Sequence, residues 1–374
     1  VSYQNAIAIK PDYAEAYNNL GNILKELKNF DEAINSYKRA IEIKPNYAEA
    51  HYGLGIIYQD LNLLNEAVKS YEVVLSIKPN SADLHNNIGV IFHELDQLDN
   101  AIEHLKLALL IEPNLAEAYN NLGNVHRKLN QIDNAIRSFK KALTIKPDYV
   151  EANYSLGIIY QDLNELKKAN KYYYKVIAIK PDLADVYFSL GTSLQKLNQL
   201  NEAINSYKKA LAINSEFTEA YNNLGIAFEG LEQIDDAIKN YEKAILTNPN
   251  YAEAHLNLGL AYQKLGQLDD SIECYKRSLT AKPDYAEAHN NLGNTFMQLG
   301  QLDKADKSYE KAISINSEFS LAYSNRADVL INLKRFDEAL ACYQRAIDIT
   351  PYKDFILGNF LHAKMHLCIW NELS

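Results

Sequence analysis

Asparagine recurs along this chain of 374 residues at steps of 34 residues or a multiple of 34. Its primary amide carries two donors and one acceptor, so it matches a backbone peptide unit, which presents one of each. Asparagine is also a poor helix former, so a regular series of it inside helices needs a compensating role. We predict that this series, the asparagine column, binds peptide; its members are Asn19, Asn87, Asn121, Asn223, Asn257, Asn291 and Asn325.

Histidine and cysteine are the other residue types that could do chemistry. His362 and His366 are spaced i, i+4 and could share a metal ion, but the glutamate of an HExxH motif and a third ligand are missing, so we predict no metal site and no cofactor. The sequence has no phosphate-binding loop, no nucleophile elbow and no CxxC motif, so we expect no enzymatic activity from this chain as it stands. Four other histidines are expected to be packing residues: His51, His85, His255 and His289.

The asparagine column is one position of a 34-residue repeat. Ten repeats fill residues 14–353 without an insertion or deletion, and we number their columns 1 to 34 from the first residue of each. The asparagine column is then column 6, and the four packing histidines occupy column 4. The repeats start at Ala14, Ala48, Ala82, Ala116, Val150, Ala184, Thr218, Ala252, Ala286 and Ser320.

Small residues mark two helices in each repeat. Column 8 is glycine from Gly21 to Gly293, with Ala327 in the tenth repeat, and column 20 is alanine except at Ser271. Columns 4, 8 and 11 fall on one face of a first helix, and columns 20, 24 and 27 repeat this pattern on a second helix. Each repeat is therefore predicted to be a helical hairpin whose helices approach closely.

All nine prolines occupy column 32, where proline ends the second helix. Ser215 and Ser317 replace it in two repeats, and we expect the helix to end less sharply there. The residue after the proline is usually Asp or Asn, with an acid three residues further on, as in Asp12 and Glu15, which predicts a capping box. Capping would also account for the acids that occupy column 2 from Glu15 to Glu287.

A 34-residue helix-turn-helix repeat with these columns resembles the tetratricopeptide repeat family, over nearly the whole chain. The resemblance implies an all-α fold, a right-handed superhelical α-solenoid whose first helices line a concave groove. Residues 1–13 are then expected to be the second-helix remnant of a truncated repeat, and residues 14–353 ten full repeats. Residues 354–374 are expected to form a transitional or capping helix toward a missing C-terminal domain.

In such a groove the asparagine column would meet a bound chain at regular intervals. Stacked helices lie roughly 8–10 Å apart and an extended peptide rises about 3.3 Å per residue, so each asparagine would engage about every third residue. Gly53, Ser155 and Ser189 interrupt the column. Two alternatives stay open: the asparagines bond only to neighbouring repeats, or duplication carried them along by accident. Column 5, unlike column 6, also accepts apolar residues such as Tyr52 and Leu256.

Composition limits the partner classes. A net charge of −10 and a pI near 5.5 argue against nucleic acid as the partner. No apolar run reaches membrane-spanning length, so we expect no membrane insertion. Cys274, Cys342 and Cys368 are scattered, which suits a reducing compartment and predicts a cytoplasmic location.

Repeats 2, 5 and 6 share a variant of the first helix. They lack asparagine in column 6 and carry an aromatic residue in column 5, namely Tyr52, Tyr154 and Phe188. Two interpretations stay open. The aromatic residues could form an apolar patch for a homodimer or for partner side chains, or they reflect drift between duplicated repeats.

The last residues suggest a larger protein. Leu361 stands where column 8 needs a small residue, so we expect the repeat register to break after Pro351. The segment "LCIWNEL" resembles protein O-linked N-acetylglucosamine transferases and their SPINDLY-like relatives, in which a Cys-x-Trp pattern, matched here by Cys368 and Trp370, leads into a glycosyltransferase domain. In that family, column-6 asparagines hold substrate polypeptide. The family's catalytic residues would lie beyond Ser374.

The resemblance therefore implies the substrate-recruiting region of a nucleotide-sugar-dependent protein O-glycosyltransferase. The alternative is a free-standing scaffold or adaptor that assembles protein complexes. A receptor of the carboxylate-clamp type is disfavoured, because that pattern needs lysine in column 5 and basic residues in columns 2 and 6. This chain instead has asparagine or aromatic residues in column 5, acids in column 2 and asparagine in column 6.

Overall fold

The computed structural model describes residues 2–350 and 354–366, and the regular elements among these residues are α-helices. The chain divides into two compact units, residues 1–180 and 181–374. The first unit contains α1 (Ser2–Ile9), α2 (Ala14–Glu26), α3 (Phe30–Ile43), α4 (Ala48–Asp60), α5 (Leu64–Ile77), α6 (Ala82–Glu94), α7 (Leu98–Ile111), α8 (Ala116–Lys128), α9 (Ile132–Ile145), α10 (Val150–Asp162) and α11 (Leu166–Ile179). The second contains α12 (Ala184–Lys196), α13 (Leu200–Ile213), α14 (Thr218–Gly230), α15 (Ile234–Thr247), α16 (Ala252–Lys264), α17 (Leu268–Ala281), α18 (Ala286–Gln298), α19 (Leu302–Ile315), α20 (Ser320–Asn332), α21 (Phe336–Ile349) and α22 (Asp354–His366).

The predicted helical hairpins are confirmed, and an aromatic ring closes most of them. In column 24 a tyrosine such as Tyr275 is fully buried. Its ring lies directly on the column-8 glycine, so a Cβ placed at Gly259 would stand only 2.7 Å from Tyr275 Cε1. Leu105 and Phe139 take the tyrosine's place in repeats 3 and 4. Burying one such side chain stabilises the hairpin by roughly 1.5–3 kcal/mol.

Successive repeats share a core. In the first unit, Ala33, Tyr37 and Ala40 of the second helix of repeat 1 pack with Leu54 and Ile57 of the first helix of repeat 2. Each hairpin therefore buries one face against the next, and the first helices are left with another face, which carries columns 2, 6 and 9.

The predicted capping box is wrong. The N-cap of α2 is Tyr13, which makes no side-chain cap bond, and Asp12 precedes it. The backbone N–H of Tyr13 donates to Lys10 O over 3.2 Å, so the chain makes a turn after the proline before the helix starts. Glu15 is therefore the second helical residue, and its carboxylate needs another explanation.

The two repeats without proline end their second helices at the same column as the others. α13 ends at Ile213 and α19 at Ile315, both in column 30, so the expected looser end does not occur. In the first of these turns, Asn214 Oδ1 accepts the backbone N–H of Glu216 over 3.1 Å. This side chain holds the turn in the absence of the proline ring.

The repeat register continues beyond residue 353, which corrects the expected break. α22 begins 34 residues after Ser320 and has the 13 residues of the other first helices. Ile356 and Phe360 are buried against the preceding hairpin, and the rings of Phe360 and Tyr343 lie 6.4 Å apart. Cys368 and Trp370 lie outside the described residues.

Candidate functional site

In the second unit, two members of the asparagine column line one groove. Asn257 and Asn291 border a cavity of about 450 Å³ between the first helices of repeats 7 to 10. Apolar side chains of Ile226 and Leu260 and the carboxylates of column 2, including Glu287, complete its walls. The groove thus combines amide groups, apolar surface and negative charge.

Three members of the asparagine column bond to the preceding repeat. The Asn257 side-chain amide donates to Asn222 Oδ1 over 2.9 Å. The equivalent bond occurs two repeats later, where the Asn325 side-chain amide donates to Asn290 Oδ1 over 3.0 Å. In the first unit, Asn121 donates to Asn86 Oδ1 over 2.9 Å. Each bond runs from column 6 to column 5 of the repeat before, and we call it the amide lock.

In the second unit each amide lock is extended by one more asparagine. The Asn222 amide donates to Asn223 Oδ1 over 3.4 Å, and the Asn290 amide donates to Asn291 Oδ1 over 3.3 Å. The Asn223 side chain also lies near the Tyr207 hydroxyl. Among the described residues, none accepts a hydrogen bond from the Asn291 amide nitrogen, so both of its hydrogens remain available in the groove.

The positions where the column is interrupted show that the lock normally satisfies the Oδ1 atom of a buried column-5 asparagine. Asn18 and Asn120 are buried, and their Oδ1 atoms have no partner among the described residues. Opposite them, column 6 holds Gly53 and Ser155, which have no amide to donate. The Tyr37 ring occupies the space above Gly53, so a Cβ there would lie 2.5 Å from Tyr37 Cζ unless the ring shifted.

Inter-repeat bonding explains only part of the asparagine column. Asn87, Asn223 and Asn291 follow repeats whose column 5 is Tyr52, Phe188 or Leu256, so no lock can form there. The Asn87 side chain makes no hydrogen bond to a described residue. Asn19 accepts only a long bond of 3.5 Å from its neighbour Asn18. Asparagine is kept at these positions without the lock, and a peptide-binding role for the column stays a prediction.

Tyrosine hydroxyls lie beneath the same face of the first helices. Tyr37 donates to Asn22 Oδ1 over 2.7 Å, and Tyr207 donates to Gln195 Oε1 over 2.7 Å. Burial raises the pKa of both tyrosines to about 12, so the hydroxyls stay neutral donors. They fix the orientation of polar groups at the groove rim, and Asn22 borders a cavity of about 470 Å³ in the first unit.

The histidines of column 4 are packing residues, as predicted. His51 Nε2 lies 2.9 Å from Pro45 O and His255 Nε2 lies 2.9 Å from Pro249 O, which ties the first helix to the preceding turn. His85 differs, because its Nδ1 lies 3.1 Å from Nδ1 of His104.

Neither metal ligands nor reactive thiols are brought together in the described ranges. Among these residues no group of three or more His, Cys, Asp or Glu side chains could hold a metal ion. The His366 side chain lies outside the described residues, so the pair with His362 is not tested. Cys274 and Cys342 are buried and free, and burial raises the pKa of Cys274 to about 11, which disfavours the thiolate.

The aromatic residues of column 5 pack inward, onto the core tyrosine of their own repeat. The ring centroids of Tyr52 and Tyr71 lie 5.7 Å apart, and those of Tyr154 and Tyr173 lie 6.0 Å apart. Tyr52 remains 41% exposed, so part of its ring is free to meet a partner. A homodimer through such a face stays a prediction.

Three features were missed from the sequence. The amide lock has a signal, because paired asparagines lie 35 residues apart, one more than the repeat. Asn359 occupies column 6 of α22 and is exposed, but Leu361 in column 8 concealed the register. Column 31 holds lysine in five of the ten repeats and asparagine in three. Of residues 2–350 and 354–366, none belongs to a helix with the length and apolar character needed to cross a bilayer.

Comparison with known proteins identifies the repeats. A TPR repeat family model matches residues 1–28, 21–62, 58–96, 91–129, 123–164, 193–232 and 231–266. Tetratricopeptide repeat models match residues 250–318, 320–352 and 150–183. No curated protein sequence matches this chain.

Solved structures show the same fold. The chain is 16% identical to the APC/C hetero-tetramer Cut9-Hcn1, with a TM-score of 0.53 over 97% of this chain and 80% of that one. It is 30% identical to MamA, over 44% of this chain and 97% of that one, with a TM-score of 0.43. It is 24% identical to YrrB, described as a TPR protein with an unusual peptide-binding site. This match covers 50% of this chain and 96% of YrrB, with a TM-score of 0.45. From the matched family models and the 34-residue hairpins, the chain belongs to the tetratricopeptide repeat family.

Proposed function

We propose that the chain binds extended polypeptide along the asparagine column. The observation that carries the proposal is the state of Asn291, which borders the groove of about 450 Å³ with both amide hydrogens unused. A peptide carbonyl is the natural acceptor for such a group. Stacked helical repeats provide the extended surface that a long, unfolded segment needs.

The groove favours backbone recognition with loose sequence preference. Each amide bond to a peptide unit contributes about 1 kcal/mol net. Ile226 and Leu260 add apolar contacts that accept many side chains. The locked members of the column, such as Asn257, hold neighbouring repeats at a constant spacing. The unlocked members, such as Asn223 and Asn291, are the contacts to the ligand.

Binding of an unstructured, fluorescently labelled peptide to the intact chain tests the proposal. Asn223→Ala combined with Asn291→Ala removes two contacts, so the affinity should fall by about 2 kcal/mol, or roughly 30-fold. Asn201→Ala combined with Asn205→Ala is the matched control, because both residues are exposed on the second helix α13. An unchanged affinity of the first double variant would refute the proposal.

The finer proposal is that this polypeptide-binding array recruits substrates for a nucleotide-sugar-dependent protein O-glycosyltransferase. The asparagine column and the Cys368 and Trp370 pattern support it by resemblance. The chain itself would then act as a recruiting arm, and catalysis would reside in residues beyond it. The parent reading frame after Ser374 tests this: a glycosyltransferase domain there supports recruitment, and its absence leaves the free-standing scaffold.

A further inference from the structure

Some repeats fill a cation site with their own lysine. In repeat 8, Lys282 Nζ lies 4.4 Å from the centroid of the Tyr285 ring and 3.9 Å from Glu253 Oε1. Repeat 1 shows the same arrangement, because Lys44 Nζ lies 4.6 Å from the Tyr47 ring and 4.0 Å from the column-2 carboxylate. An aromatic ring and an acid therefore form a corner that accepts an ammonium group. Column 31 supplies the lysine, column 34 the ring and column 2 the acid.

Repeat 7 has the same corner without the lysine. Asn248 occupies column 31, and its Oδ1 accepts the backbone N–H of Asn250 over 3.1 Å, so this short side chain is held in the turn. Tyr251 and Glu219 keep the ring and the acid of the corner. Among the described residues, no lysine or arginine nitrogen lies within ion-pair distance of the Glu219 carboxylate or over the Tyr251 ring.

A second carboxylate lies beside the corner of repeat 7. Glu253 lies two residues after Tyr251, at the start of α16, and is half-buried. Burial raises the pKa of the Tyr251 hydroxyl to about 12, and the negative charges of Glu253 and Glu219 add to this effect. Both acids act on Tyr251, but Glu253 is already paired with Lys282, so Glu219 is the carboxylate left for an incoming cation.

The corner of repeat 7 lies next to the polypeptide groove. Glu253 lines the groove of about 450 Å³ together with Asn257 and Asn291. Repeat 9 has a similar corner in the same groove, in which Glu287 and Phe319 lack a lysine because column 31 holds asparagine. A polypeptide lying on the asparagine column would thus carry its side chains past these corners.

We propose that the corner formed by Glu219 and Tyr251 binds a lysine or arginine side chain of the polypeptide in the groove. The inference rests on the proposed function, and it adds a preference for basic segments. The bound ammonium or guanidinium group takes the place that Lys282 Nζ occupies one repeat later, over the ring and beside the acid.

Two peptides of the same Gly-Ser-Ala sequence test the proposal, one with a central lysine and one with norleucine, which keeps the aliphatic stem but lacks the charge. The intact chain should bind the lysine peptide about 2- to 5-fold more tightly. Asn248→Lys should fill the corner from within and abolish this preference, with the affinity for the norleucine peptide unchanged. Asn201→Lys adds the same charge on the exposed face of α13 and should keep the preference.

The outcomes separate this proposal from the proposed function. Equal affinities of the wild-type chain for both peptides would overturn the basic corner and leave polypeptide binding intact. A preference that survives in Asn248→Lys would place the cation site elsewhere and also overturn it. Failure of both peptides to bind would overturn polypeptide binding and the corner together.

Discussion

The side-chain amide of Asn257 donates to Oδ1 of Asn222, a residue 35 positions earlier, over 2.9 Å. This contact shows that part of the asparagine column has a structural role. Where the preceding repeat has asparagine in column 5, the column-6 amide fastens adjacent first helices. Where that residue is apolar, as Leu256 is before Asn291, the amide remains available to a ligand.

The first prediction compares a locked and an unlocked asparagine of the first unit. Asn121→Ala leaves the buried Asn86 Oδ1 without its donor, so the free energy of unfolding should fall by about 1–3 kcal/mol. Asn87→Ala breaks no hydrogen bond to a described residue and improves helix propensity, so it should be neutral or stabilising by ~0.5 kcal/mol. Urea unfolding measures both changes, with hydrogen exchange in α6 and α8 as the local readout. Equal losses for the two variants would contradict the distinction.

The second prediction adds a missing lock. Asn120 Oδ1 is buried without a partner, opposite Ser155. Ser155→Asn supplies the donor that Asn121 supplies to Asn86 one repeat earlier, so it should stabilise the first unit by about 0.5–1.5 kcal/mol.

A double-mutant cycle checks the mechanism of this gain. Asn120→Leu removes the acceptor in column 5. In that background Ser155→Asn should bring no stabilisation. A gain of the same size in both backgrounds would show that the added asparagine acts through some other contact.

The third prediction concerns acid stability. Burial lowers the pKa of both His85 and His104, whose Nδ1 atoms lie 3.1 Å apart. The folded state therefore prefers the neutral rings, and the stability they contribute is present above pH 6.5, the ordinary histidine pKa, and is lost as the pH falls below it.

His104→Ser isolates this effect, because serine occupies the same column in several other repeats, including Ser70 and Ser138. The variant should show a weaker loss of stability between pH 7 and pH 5 in urea unfolding. His93, whose pKa burial also lowers, should leave a residual slope. A slope identical to that of the wild type would exclude the histidine pair as its source.

The fourth prediction concerns alkaline stability. Burial raises the pKa of Tyr37 and Tyr207 to about 12, from an ordinary value of 10.0. Above pH 10 the unfolded chain ionises these tyrosines and the folded chain does not, so stability is complete below pH 10 and falls toward pH 12. The loss should reach about 1.4 kcal/mol per pH unit for each such tyrosine.

Tyr207→Phe tests this slope, and Phe139 shows that the column accepts phenylalanine. The variant should be less stable below pH 10, because Gln195 loses its donor, but its stability should fall less steeply above pH 10. An unchanged slope would mean that Tyr207 does not remain neutral in the folded state.

The repeat pattern was enough to predict the helical hairpins, because the residue type in each column is set by local packing or by a helix end. Gly259 admits the ring of Tyr275, and the proline of column 32 ends the second helix. The helix start was misjudged, since the turn after proline makes Tyr13 the N-cap and leaves Asp12 outside. Propensity alone does not report how many residues such a turn uses.

The features of the candidate site depend on contacts between different columns, which a column-by-column reading separates. The amide lock joins column 6 to column 5 of another repeat, and the cation corner joins columns 31, 34 and 2. Each column looked independent in the sequence. Only the packed helices show that Asn248 removes the cation that Lys282 supplies one repeat later.

A crystal structure of the intact chain with a bound unstructured peptide tests the central claim most directly. We expect peptide backbone groups within hydrogen-bond distance of the Asn223 and Asn291 amides, with the bond from Asn257 to Asn222 still in place. A peptide bound away from these two amides, or in contact with them only through its side chains, would contradict the claim that the asparagine column recognises backbone.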